Sequence, residues 1–110
     1  MTMAPKDNGG DGSRFSPTDL CTASLGVCMT TIMGMYARDH KIPLEGITFE
    51  LEKIMSAAPR RIAAIRGTVW IRSSCSEAEL ARIVDAGRHC PVALSLHPDL
   101  KQEITFVRRD

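Results

Sequence analysis

The chain has 110 residues, 44% of them apolar, and its 14 Lys+Arg against 13 Asp+Glu leave a formal net charge of +1. That length and apolar content suit one domain with a buried core and exclude a disordered tail, while near-neutrality without a basic block excludes the electrostatic footprint of a nucleic-acid or anionic-lipid binder. One Trp, one Tyr and three Phe also speak against a stacking platform for single-stranded nucleic acid.

The opening "MTMAPKDNGG" lacks the basic start, apolar stretch and small-residue cleavage site of a secretory signal, so a cytoplasmic protein is expected. Residues 1–15, rich in Gly, Asp and Asn, read as a flexible arm or the remnant of a linker, and residues 16–110 as the folded domain. Structure begins at "FSPTDL". Ser16 is a good N-cap, Pro17 suits the first helical position because its missing N–H would have been unpaired anyway, and Asp19 stands where a carboxylate bonds back to the cap. A helix is predicted from Pro17 to about His40, ending before "KIP" because Pro43 disfavours a helical residue ahead of it. From Leu20 to Ala37 this helix has 18 consecutive uncharged residues, the lower limit for a membrane span. Thr22, Ser24, Gly26, Thr30, Thr31 and Gly34 dilute its apolarity and "ARDH" follows at once, so it reads as a helix inside a soluble protein with no membrane partner.

In "EGITFELEKI", Ile47, Phe49 and Leu51 alternate with Thr48, Glu50 and Glu52, the pattern of a half-buried strand. A second strand lies in "RRIAAIRGTVWIRSS", with Arg66, Thr68, Trp70 and Arg72 on one side and Gly67, Val69 and Ile71 on the other. "SAAPR" could join the two as an antiparallel pair. Ser76 and Glu79 form a capping box that opens a helix with Leu80, Ile83, Val84 and Gly87 on one face, closing near Arg88 and His89. Cys90 then caps a short helix begun by Pro91, and "QEITFV" is a last strand. The expected class is α+β, a long helix packed on a small antiparallel sheet. A helix apolar nearly all round leaves more surface than this chain can cover, which predicts an intimate homodimer with that helix at its centre.

Four cysteines, at 21, 28, 75 and 90, form no C-x-x-C pair, and a reducing compartment turns attention from structural disulfides to catalysis or redox sensing. Cys21 and Cys28 lie two helical turns apart, about 10 Å, too far to bridge. Cys75 falls in a strand-to-helix turn and is expected to be exposed and incidental. Cys90, a helix N-cap beside His89, is expected to have a lowered pKa. Cys28 lies beyond the first turn, where the helix dipole no longer acts, and on residue chemistry alone reads as a core filler before it reads as a nucleophile. His89, Cys90 and His97 match no zinc spacing, His40 and His97 read as ordinary helix-end residues, and no metal or cofactor is expected.

"FSPTDLCTASLGVCMTTIMGMYARDHKIPLEGITFELE" and, after a gap, "SEAELARIVDAGRHCPVALSL" resemble the OsmC/Ohr family of thiol-dependent hydroperoxide reductases over about residues 9–107. The most specific parts are the Ser-Pro-x-x-Leu helix opening with a cysteine eleven residues after the Pro, and a Cys-Pro dipeptide following a later helix. The resemblance implies an intertwined homodimer in which the Cys28 thiolate attacks an organic hydroperoxide and becomes a sulfenic acid. Cys90 then condenses with it to a disulfide, which a dithiol such as a lipoylated protein reopens.

In peroxidase members a Glu directly after that Pro and an Arg from an N-terminal strand region hold the attacking thiolate. Here Thr18 follows Pro17, and Asp19 stands one place on, about 100° around the helix, so Asp19 is assigned to capping, with a thiolate-orienting role for Thr18 or Asp19 as the alternative. None of Arg14, Arg60, Arg61, Arg66 and Arg72 matches the family's Arg, so either the chain lacks that strand region or one of these arginines substitutes for it. The competing reading is therefore an OsmC-like homodimer that turns over weakly or not at all, serving as a redox sensor or as a small-ligand-binding or structural protein.

Overall fold

A computed structural model describes residues 16–109, so the reading of residues 1–15 as an arm lies outside the described residues. Helix α1 (Pro17–Asp39) begins as its sequence predicts. Ser16 Oγ accepts from the Asp19 N–H at 3.1 Å, and the Ser16 N–H donates to Asp19 Oδ2 at 3.3 Å. It ends at the His40 C-cap, whose ring stacks on Tyr36 with centroids 3.9 Å apart. Strands β1 (Gly46–Ala57) and β2 (Arg60–Arg72) form a long antiparallel hairpin across Ala58-Pro59, a cis peptide, with Ser56 Oγ donating to the Pro59 carbonyl at 2.8 Å. Helix α2 (Glu77–Arg88) opens on the Ser76–Glu79 capping box, α3 (Pro91–Ser95) on Cys90, and β3 (Lys101–Arg108) completes a sheet of order β1-β2-β3.

One expectation needs correction. The sheet is mixed, because β3 runs parallel to β2, pairing Ala64 with Lys101 through Ile71 with Arg108. The chain leaves β2 at one end of the sheet and crosses over through α2 and α3 before entering β3, and a helical crossover delivers the next strand parallel.

The alternation read from the sequence decides which sheet face is covered. Ile65, Val69 and Ile71 are fully buried under the helices, whereas Arg66 and Arg72 lie on the open face. Leu25, Met29, Met33 and Ala37 of α1 join them in one core with Ile83 of α2. Two glycines let the layers close. A Cβ on Gly87 would come within 2.7 Å of Met33 Cγ and Sδ, and one on Gly26 would clash with the edge of the Phe49 ring, 2.6 Å from Cζ. These positions let α2 and β1 approach the α1 axis closely. By length and composition α1 alone among the described helices could cross a membrane, but its Leu25–Met29–Met33–Ala37 stripe is core. The opposite side leaves Leu20, Val27 and Met35 44–55% exposed.

Candidate functional site

Cys28 and Cys90 come from opposite ends of the chain to one place, where α3 packs on the middle of α1. Cys28 is on α1 at the margin of the core, half-buried; Cys90 is the N-cap of α3 and has no exposed surface. Both are free thiols. Cys90 has β-region backbone angles, and Pro91 starts the helix after it, so its side chain turns back over the first turn, with Sγ accepting from the Ala93 N–H at 3.5 Å. Gln102 fixes this short helix to the sheet, its Nε2 donating to the Ala93 carbonyl at 3.0 Å.

The Cys90 thiol is not the acidic group expected from its N-cap position. Burial pushes its pKa up from 9.0, the amide N–H groups of Ala93 and Val92 oppose the rise, and the neighbouring Cys28 thiol adds to it. His89 gives no help, because its Nδ1 lies 2.8 Å from the Asp85 carbonyl and its ring is turned along α2. Cys75 also departs from expectation. It is buried, and its turn is held by Ser73 Oγ, which accepts from the Cys75 N–H, and by the Arg108 guanidinium, which donates to the Cys75 carbonyl at 2.8 Å. Cys21 is half-buried on α1.

Thr18 and Asp19 form a separate cluster at the start of α1. Lys53, on the helix-facing side of β1, donates to Thr18 Oγ1 at 2.7 Å and to Ser16 Oγ at 3.0 Å, and pairs with Asp19 Oδ1 at 2.9 Å. This hydrogen bond from Lys53 is the largest influence holding the Asp19 carboxyl below its ordinary value of 3.8, with burial working the other way. At 1.5 Å per residue, Thr18 and Asp19 stand about 14–15 Å along the helix axis from Cys28, so within one chain they cannot touch it. Sequence reasoning passed over Lys53, although its signal was visible: it continues the inward phase of Ile47, Phe49 and Leu51, where an unpaired ammonium would be costly. Among the described residues no group of three or more His, Cys, Asp or Glu gathers in a way that could hold a metal.

The family profile described as OsmC-like protein matches residues 10–105. Among solved structures, a Psychrobacter arcticus protein described as an osmotic stress induced and detoxification response protein is 40% identical. The match covers 96% of this chain and 77% of that one, with a TM-score of 0.87. An organic hydroperoxide resistance protein OsmC of Legionella pneumophila shares the fold at 19% identity, covering 96% of this chain and 78% of its own, TM-score 0.71. OhrB of Bacillus subtilis does so at 15% identity over 86% and 71%, TM-score 0.60. No curated protein sequence matches the chain. The profile match over nearly the whole chain and the 40% identical relative agree, and the protein belongs to the OsmC-like family.

Proposed function

We propose that the protein is a cytoplasmic, homodimeric two-cysteine peroxidase that reduces organic hydroperoxides. The observation that carries this reading is the meeting of Cys28 and Cys90, distant in sequence, at one apolar junction between α1 and α3. The Cys28 thiolate attacks the terminal oxygen of the hydroperoxide, the O–O bond breaks, and the alkoxide leaves as the alcohol after taking a proton. Cys28 becomes a sulfenic acid, and the Cys90 thiol condenses with it, releasing water and forming the Cys28–Cys90 disulfide. A dithiol, such as a lipoyl group on a carrier protein, returns two electrons and leaves as its own disulfide. No cofactor takes part.

The exposed apolar residues on the outer side of α1 support the homodimer, since Leu20, Val27 and Met35 need a cover of that kind. A thiolate-orienting role for Thr18 or Asp19 then belongs to the neighbouring subunit, because distance along the helix forbids it within one chain. The alternative, a redox sensor or a ligand-binding or structural homodimer without turnover, draws on the engagement of Lys53 by Asp19, Thr18 and Ser16, which leaves that cation committed to the helix start.

Consumption of cumene hydroperoxide in excess dithiol, measured for the wild type, Cys28→Ser and Cys90→Ser, decides between them. Loss of turnover in both variants is expected, and a rate indifferent to Cys28→Ser overturns the peroxidase reading.

A further inference from the structure

We propose that the reductant attacks the Cys28 sulfur of the Cys28–Cys90 disulfide and that Cys90 departs as the leaving thiolate, received by the amide N–H groups at the start of α3. This rests on the disulfide cycle proposed above and adds its direction, which decides where the reductant must dock.

Thiol–disulfide exchange is an in-line displacement: the incoming sulfur approaches along the extension of the S–S bond and the far sulfur leaves. Attack on Cys90 would require a path ending at a sulfur with no exposed surface, lying against the first turn of α3 at Ala93 and within the buried core. Attack on Cys28 needs only a path to the margin of α1, where a single chain leaves this thiol half-buried and where the proposed homodimer must in any case keep a way open for the hydroperoxide to reach the same sulfur. Leaving-group acidity alone would argue the other way, because burial makes Cys90 the poorer thiolate. Access outweighs it, since a sulfur that cannot be approached is not attacked however good its partner is as a leaving group. Once the bond opens, the Cys90 thiolate is not bare: the Ala93 N–H is already directed at Sγ at 3.5 Å, and the Val92 N–H also stabilises the charged form.

The reductant thiolate donates its pair to Cys28 Sγ, forming a mixed disulfide, while the S–S pair passes to Cys90 Sγ, which later takes a proton from water. The second thiol of the reductant then gives its proton to water and attacks the reductant sulfur bonded to Cys28, releasing the Cys28 thiolate and closing the reductant's own disulfide.

The test uses the full chain oxidised with diamide, so that formation of the disulfide does not depend on peroxide chemistry. A brief pulse of 2-mercaptoethanol, quenched with N-ethylmaleimide, is followed by peptide mass spectrometry. The mercaptoethanol adduct is expected on Cys28 and the maleimide on Cys90, exceeding the reverse labelling by about tenfold or more. Equal or reversed labelling overturns the inference. Because adducts can migrate between neighbouring thiols, mixed disulfides of 2-nitro-5-thiobenzoate are also made separately on Cys28 in Cys90→Ser and on Cys90 in Cys28→Ser. The Cys28 adduct is expected to be reduced about tenfold faster or more, and equal rates overturn the inference. Failure of peroxide, but not diamide, to form the disulfide overturns the proposed function while leaving the direction of attack to stand or fall on the labelling alone.

Discussion

Lys53 Nζ on β1 lies 2.9 Å from Asp19 Oδ1 in the first turn of α1, and the same ammonium reaches the hydroxyls of Thr18 and Ser16. A single long-range contact thus ties the capping box of the central helix to the sheet. Lys53→Met removes the cation and keeps the stem. With the Asp19 side chain 40% exposed, solvent screens the pair, and a loss of about 1 kcal/mol is expected. The loss depends on pH. Asp19 has its carboxyl pKa held below 3.8 in the fold, so its contribution is present above that value and disappears as pH falls through the lowered folded value. Urea unfolding at stepped pH should show wild type and Lys53→Met far apart near neutrality and closer together in acid, without merging, because the two hydroxyl bonds do not titrate. A gap constant across the range contradicts the ion pair as its source.

The three glycines of α1 and α2 that face different surroundings should respond differently to Ala. At Gly26 a new methyl meets the rigid Phe49 ring, and at Gly87 it meets the flexible Met33 and Met29 chains, 2.7 and 3.1 Å away; at Gly34 nothing lies within 4 Å. Overpacking costs about 1–3 kcal/mol, and helix propensity returns up to about 1 kcal/mol in each case. Gly26→Ala is therefore expected to be the most destabilising, Gly87→Ala milder, and Gly34→Ala neutral or stabilising. Thermal melts of the three variants check the order.

Much of this architecture was legible because the deciding chemistry is local. Ser16-Pro17 and Ser76-x-x-Glu79 fix two helix starts through backbone groups within three residues, and the period-two alternation of β1 and β2 assigns their faces. What was missed is non-local. The direction of β3 follows from the crossover through α2 and α3, although the order strand, helix, strand itself favours a parallel pair. Proximity of His89 suggested an acidic Cys90, but adjacency in sequence says nothing of where a ring turns or how much core closes over a thiol. Cys75 looked exposed because a turn was expected there, and the Arg108 clamp that folds the turn inward comes from the far end of the chain.

The raised pKa of the buried Cys90 thiol is expected to make the protein sensitive to alkali. Above pH 9.0 the unfolded thiol ionises while the folded one keeps its proton, so the folded state binds more protons and stability falls as pH rises toward the raised folded value. Cys90→Ala should cost about 1 kcal/mol at neutral pH through the cavity it leaves. Between about pH 8 and pH 10 it should lose less further stability than the wild type does. Parallel slopes for the two proteins would place the alkaline sensitivity elsewhere.

On the outer side of α1, Val27 is 55% exposed and Leu20 52%, so a charge at either position is compatible with the folded chain. If this side forms the centre of a homodimer, Val27→Glu introduces two glutamates near the twofold axis and separates the subunits. Sedimentation velocity should show a dimer for the wild type and a folded monomer for the variant, with circular dichroism unchanged. A dimer in both proteins would move the interface to another surface.

Gln102 is expected to act as a positioning residue for Cys90. Its amide is the side-chain link from β3 to the Ala93 carbonyl, one turn after the cysteine, and it is half-buried beside the core residue Ile104. Gln102→Leu keeps the volume and removes the donor, leaving the Ala93 carbonyl short of a partner and α3 free to shift; a cost of about 1 kcal/mol is expected. In the proposed cycle the first chemical step takes place at Cys28 and leaves α3 aside, so the sulfenic acid should form at the wild-type rate. Condensation with Cys90 does depend on α3. The variant should accumulate more dimedone adduct and less Cys28–Cys90 disulfide at equal peroxide, by about threefold to tenfold if the full loss is felt in the condensation barrier. A purely structural role would lower both products together, and an unchanged ratio of disulfide to adduct would remove Gln102 from the site.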